Sequence, residues 1–320
     1  MRSDYAAIVA QKIKMELGSL NEYLDDENIT EVMFNPDGRV LVEKYGCGII
    51  STGITITREK ALLLMGSIAE YNGTVINRQN PLLKGSMPEG QRFQGMQEPV
   101  VDSPAFTIRC NRSRSLLLDD YVRERLSKEC AEMLRTALVN KKNILVSGGT
   151  GSGKTTLTSA LLRELSKLCP NDRLTIMEDT REIVVESKNV VYQLATDEVT
   201  MSDLLAANLR MRPDRIILGE TRGGDAYDLL MSWNTGHPGG ICTLHANSAL
   251  SALARFETLI LVAGTAQNLT IPAVRSLIAS AVDIVIHIEK TITGPIVKEV
   301  LSIEGLNIEG NYMTKGLYSG

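Results

Sequence analysis

Asn143-Ile144-Leu145-Val146-Ser147-Gly148-Gly149-Thr150-Gly151-Ser152-Gly153-Lys154-Thr155-Thr156 decides how the rest of the chain is read. Asn143–Ser147 is an apolar run of strand length, and Lys154–Leu168 takes helical spacing. Between them, Gly148–Thr155 matches GxxxxGK[ST] in full, and a strand before it with a helix after it is the context that gives the pattern meaning. Glycines let backbone N–H groups close around phosphate oxygens with no Cβ in the way. The helix adds the positive end of its dipole. Lys154 is expected to reach the β- and γ-phosphates of ATP, and the Thr155 hydroxyl to help hold Mg²⁺. The nucleotide contacts expected are Gly148, Gly149, Thr150, Gly151, Ser152, Gly153, Lys154, Thr155 and Thr156.

C-terminal to this loop, apolar runs at 173–177, 190–194 and 215–219 alternate with helical patterns at 200–211, 224–233 and 248–262; a further helix, 129–139, precedes it. Continuous apolar strands between helices predict an α/β domain with a mainly parallel sheet covered on both faces. The first third reads differently. A helix over 5–24 precedes a hairpin, 31–34 and 39–43, around Asn35-Pro36-Asp37-Gly38, which Gly46 and Gly48 end. A helix over 57–70 follows, then Gly-, Pro- and Gln-rich loops around short strands over 81–104, then a strand at 105–109. This predicts a smaller α+β domain, 1–112. A charged stretch with Arg112, Arg114, Arg123 and Arg125 is read as a linker, 113–127, leading into the second domain, 128–320.

Two acidic sites follow strands of the second domain: Glu178-Asp179 and Glu220. Side chains at the C-terminal ends of parallel strands face the ligand crevice. A carboxylate there can hold Mg²⁺ through water or orient an attacking water. Glu178 and Glu220 are therefore candidate metal and catalytic residues beside Thr155, and Gly219 stands where an Asp usually precedes the acid. His237 and His245 lie in the segment Gly236–Ser248, where a neutral imidazole can donate to a γ-phosphate oxygen. The third histidine, His287, sits in the apolar run Ile284–Ile288 and reads as structural.

Composition narrows the classes. Of 320 residues, 4% are aromatic and the net charge is −4, which disfavours a stacking platform for single strands and a basic nucleic-acid groove. Sequence-specific nucleic-acid binding is not expected. Cys47, Cys110, Cys130, Cys169 and Cys242 form no CxxC pair, so reduced thiols are expected rather than zinc or disulfides. No apolar run approaches the ~20 residues that span a bilayer, and the first residues hold no signal-peptide core, so any membrane association is expected to be peripheral or through partners. A GTPase is disfavoured because no NKxD-like segment is present. A nucleotide-binding scaffold without turnover would need to lose its water-activating acid, yet Glu178 and Glu220 are both there.

The loop at 148–155, Thr175-Ile176-Met177-Glu178-Asp179, Arg212–Arg222 and the Gly236-His237…Thr243-Leu244-His245-Ala246-Asn247-Ser248 segment occur in one order. In that order they resemble the Walker A, Asp box, Walker B and His box of the type II/type IV secretion ATPases. Thr30–Asn35, Pro88–Phe93 and Phe106–Arg109 are similar to the N-terminal domain of the conjugative-transfer (TrbB-like) branch. The absence of a tetracysteine motif also favours the type IV branch over type II secretion or type IV pilus motors. The resemblance implies a homohexameric ring of subunits with a RecA-like ATPase domain, on the cytoplasmic face of the inner membrane beside membrane components of the secretion or conjugation machine. It implies water activation by Glu220, an Asp-box role for Glu178, His-box roles for His237 and His245, and arginines of the N-terminal domain, here Arg92 and Arg109, that reach the phosphates.

Overall fold

Two units, Met1–Arg112 and Ser113–Gly320, make up the computed structural model, which describes residues 2–110, 116–122, 126–196, 198–262, 269–291 and 294–320. The first runs α1 (Arg2–Leu17), α2 (Leu20–Asp25), β1 (Ile29–Phe34), β2 (Arg39–Lys44), β3 (Gly48–Thr55), α3 (Arg58–Tyr71), β4 (Leu82–Ser86), β5 (Arg92–Met96) and β6 (Ala105–Arg109). The strands form an antiparallel sheet of order β3-β2-β1-β6-β5-β4. Phe106 stacks between Phe34 and Phe93 at its centre, and Leu64, Met65 and Ile68 of α3 pack into the same core. Two expectations are corrected. The helix expected over 5–24 is two helices, because Gly18 adopts φ +52° and turns the chain between them. Gly48 opens a third strand rather than ending the hairpin; Gly46 and Gly48, both at positive φ, form the turn into it.

The second unit continues with α4 (Leu118–Val122), α5 (Lys128–Val139), β7 (Ile144–Gly148), α6 (Lys154–Leu168), β8 (Leu174–Glu178), β9 (Val190–Leu194), α7 (Met201–Asn208), β10 (Arg215–Leu218), α8 (Asp225–Asn234), β11 (Ile241–Leu244), α9 (Ala249–Val262), α10 (Ile271–Ala281), β12 (Ile284–Thr291), β13 (Gly294–Leu306) and β14 (Tyr312–Ser319). The sheet order is β14-β13-β12-β7-β11-β10-β8-β9. From β12 to β9 every pairing is parallel, while β13 and β14 add an antiparallel edge, so the sheet is mixed.

Every residue of β7, β8, β10 and β11 is buried, as helices on both faces require. Alternation divides the core: Ile144 and Val146 join α5 and α6 on one face, and Leu145 joins α8, α9 and α10 on the other. The stretch read as a linker includes α4, whose Leu118 and Tyr121 are fully buried in the core of this unit. Arg135 of α5 ties α4 to α6 through Asp119 and Glu164. Arg112, Arg114, Arg123 and Arg125 lie outside the described residues.

The α8–β11 connection is built without room for side chains. A Cβ on Gly240 would sit 2.1 Å from Trp233 Nε1 and 2.3 Å from the Ile216 carbonyl oxygen. Gly240→Ala is expected to destabilise the unit by about 2 kcal/mol, a fall in Tm of roughly 4–8 °C. Trp233 is the sole tryptophan of the sequence, so its displacement from the Ile216 carbonyl should also shift the intrinsic fluorescence to the red; unchanged Tm and emission would show that the connection can relax.

Candidate nucleotide site

β7 ends at Gly148 and α6 begins at Lys154, with the glycine loop between. A Cβ on Gly148 would lie 2.3 Å from the Ile288 carbonyl oxygen, and one on Gly153 would lie 2.8 Å from Pro295 Cβ. Gly151 and Gly153 also hold φ +67° and +94°, the left-handed region that favours glycine. Gly149, Thr150 and Gly151 are exposed, whereas Ser152 and Lys154 are buried. Thr155 and Thr156 fall in the first turn of α6. That helix starts on Gly153 with no side-chain cap and no acidic residue in its first turn. Its first N–H groups are therefore left to an anion, and the loop fits a polyphosphate.

Lys154 leans across this loop. Its ammonium donates to the carbonyl oxygens of Gly148 and Gly149, both at 2.9 Å, and stands 3.3 Å from His245 Nδ1. His245 leaves the end of β11, the strand beside β7. Its Nε2 lies 3.0 Å from Glu220 Oε1. His245 thus bridges the lysine at Nδ1 and the carboxylate at Nε2. The other oxygen of Glu220 accepts from Arg222 at 2.8 Å, and Arg222 reaches Asp179 at 2.9 Å. One polar chain thus runs from Asp179 through Arg222, Glu220 and His245 to Lys154. Burial pushes the Glu220 carboxyl up, but the Arg222 guanidinium, helped by His245 and Lys154, outweighs it and holds the group below its ordinary value. Glu220 is ionised at neutral pH, with both oxygens engaged.

Glu178 is placed differently from the expectation. It is buried at the end of β8, and its Oε1 accepts from the backbone N–H groups of Glu182 and Ile183 at 3.1 and 3.0 Å. These bonds shape the turn after β8 and deliver Glu182, whose Oε2 accepts from the Thr155 hydroxyl at 3.1 Å. The carboxylate bonded to Thr155 is Glu182, four residues after the one singled out from sequence. The cue was present in Glu178-Asp179-Thr180-Arg181-Glu182, since a turn can return a residue four positions on to the strand end. Gly219 also finds its reason here: a Cβ on it would press on Glu178 Cγ at 2.7 Å. Among the described residues no group of three metal-ligating side chains converges. Mg²⁺ does not require one, since it is held by one or two side chains with phosphates and waters.

His237 does not join this group. It precedes β11, and its Nδ1 lies 3.3 Å from the carbonyl of Pro213, which precedes β10. Both strands run parallel to β7, so His237 is at the edge opposite the glycine loop. Within the subunit His237 therefore stands apart from His245 and the glycine loop. His287 is buried, with Nδ1 3.0 Å from Ser147 Oγ; burial pushes its pKa down, against the pull of Glu289. In the first unit, Arg92 and Arg109 face each other across β5 and β6, with Glu31 opposite Arg109 on β1.

Parallel strands that bring a lysine, an imidazole and a carboxylate to the mouth of a glycine loop define the class as a nucleotide-hydrolysing α/β enzyme. Residues 89–295 match the family model described as type II/IV secretion system protein, and the chain belongs to that family as one of its ATPases. It is 43% identical over 310 residues to the conjugal transfer protein TrbB of Rhizobium radiobacter, covering 96% of this chain and 94% of that protein. Among solved structures, it is similar to the VirB11 ATPase of the Brucella suis type IV secretion system in complex with sulphate, at 29% identity, TM-score 0.51 and coverage of 93% and 96%. The pilus retraction motor PilT with bound ADP shares the fold at 21% identity and TM-score 0.64, covering 92% of this chain and 84% of that one.

Arg222→Gln removes the main opponent of burial at Glu220, so the Glu220 pKa should rise. The depressed value stabilises the fold above the ordinary carboxylate pKa and loses that effect as pH falls through the folded pKa; the variant forfeits it. The acid limb of the pH–rate profile for ATP hydrolysis should move to higher pH, and an unmoved limb would remove Glu220 from the titrating step.

Proposed function

We propose that this chain is the motor subunit of a conjugative type IV secretion machine, a RecA-like ATPase that hydrolyses Mg-ATP to power substrate transfer. The link from Lys154 through His245 to Glu220 carries the reading, because it joins the residue that would hold phosphate to the residue that would act on water. The 43% identity to a conjugal transfer protein supports the choice of machine. The assembly is a homohexamer working as a peripheral protein at the cytoplasmic face of the inner membrane, beside the membrane components of that machine. No helix among the described residues is long and apolar enough to cross a membrane.

The residues divide the work as follows. Backbone N–H groups of Gly149–Thr156 hold phosphate oxygens. Lys154 exchanges the carbonyls of Gly148 and Gly149 for the β- and γ-phosphates, which draws its ammonium away from His245. His245 then has Nδ1 unengaged and its Nε2–H available for a γ-phosphate oxygen. When His245 turns, Glu220 Oε1 is released to accept a proton from water. Thr155 and Glu182 are the side chains suited to Mg²⁺, which when bound supplies charge neutralisation at the phosphates; Glu178 positions Glu182. Arg92 and Arg109 are the arginines of the N-terminal unit whose substitution should be tested for an effect on turnover.

Lys154→Ala should lose nucleotide binding, whereas Glu220→Gln should keep it and slow hydrolysis on the order of 10²-fold or more. Glu220→Gln hydrolysing at the wild-type rate would overturn the assignment of the base. Glu182→Ala should raise the Mg²⁺ concentration needed for half-maximal turnover more than Glu178→Gln does in a folded variant. Native mass measurement with Mg-ATP should find six subunits; a stable monomer at micromolar concentration would count against the ring.

A further inference from the structure

The hairpin of β12 and β13 does more than close the sheet. β12 pairs in parallel with β7 up to Ile288 opposite Gly148, and Thr291 Oγ1 donates to the Gly294 carbonyl at 2.6 Å near the tip. Three residues of the hairpin wall three glycines of the loop: Ile288 at Gly148, Lys290 at Gly151 and Pro295 at Gly153. Strand alternation sorts the side chains. His287 and Glu289 face one way and meet at 3.6 Å, while Ile288 and Lys290 face the loop. Lys290 Nζ lies 3.8 Å, and its Cδ 4.0 Å, from where a Cβ on Gly151 would be. The ammonium therefore stands over the exposed middle of the loop, while Lys154 enters from the helix.

We propose that Lys290 is a second phosphate-binding cation of the nucleotide site, acting from the hairpin on the oxygens that the loop backbone leaves facing solvent. The inference rests on the reading of the loop as a nucleotide site. A polyphosphate carries several charges, and two ammonium groups on opposite sides neutralise it better than one. Lys290 is exposed, so its contribution is to affinity and to discrimination by phosphate number rather than to the fold. Its partner is the phosphate chain and not the base, because Gly151 is a phosphate-loop position. Pyrophosphate is accordingly a sufficient probe.

The test is equilibrium binding of ATP, AMP and pyrophosphate to the full chain, for wild type, Lys290→Gln, Lys290→Arg and Lys154→Ala, with Tm measured alongside. Lys290→Gln should weaken ATP and pyrophosphate by about tenfold, change AMP less, and leave Tm near wild type. Lys290→Arg should restore most of the loss. ATP and pyrophosphate affinities of Lys290→Gln within twofold of wild type would overturn the inference, whether or not Tm falls. An equal loss for all three ligands would overturn it in favour of a bracing role. If the wild type binds neither ATP nor pyrophosphate, the nucleotide site itself fails, and the inference with it; if Lys154→Ala loses binding while Lys290→Gln does not, only the inference fails.

Discussion

Gly148 and Ile288 approach so closely that no side chain fits between them. This contact is where β7, the central strand that launches the loop, is pinned to β12. On the other side of β7 lies β11, in register from Ile144 to Ser147. With both neighbours parallel, the loop leaves the sheet at the same edge as His245. The uncapped start of α6 faces the same place. The remaining chemistry depends on that alignment: a lysine at the start of a helix meets an imidazole 91 residues further on because two strand ends are level.

The polar chain between Asp179 and Lys154 pairs its charges along its length. Every charged member has an opposite or neutral partner, which is how ionic groups tolerate partial burial. Glu220 is at once ionised and occupied.

Much of this was legible in residues 143–156, because a full phosphate-loop pattern carries its own context of strand and helix. Continuous apolar runs at 173–177 and 215–219 pointed to buried parallel strands for the same reason: both faces are covered. β11 was absorbed into a histidine-bearing loop, since four residues between Gly239-Gly240 and His245 carry too little pattern. The direction of β11 was lost with it, and with direction the knowledge that His237 and His245 lie at opposite edges. Glu182 was passed over because a strand-end rule selects the first acid, whereas the turn built on the Glu178 carboxylate presents the later one. The antiparallel edge of β13 and β14 escaped notice because its mostly half-exposed or exposed residues show no regular alternation and resemble ordinary loop sequence. Tyr121 shows the converse: charges around it masked a residue wholly buried.

The order of strands has a consequence for how the protein comes into being on the ribosome. Residues 144–148 emerge early, but β12, one of their two neighbours, is made about 140 positions later. Until then the segment has an open edge on that side and nothing against Gly148. Pairings of such sequence separation form slowly because the intervening chain must first be gathered. A nascent chain that already contains the whole phosphate-loop sequence therefore lacks the wall that shapes it. Exposed apolar strands in that interval are the kind that attract chaperones or one another. The loop takes its finished shape only after β12 has joined the sheet.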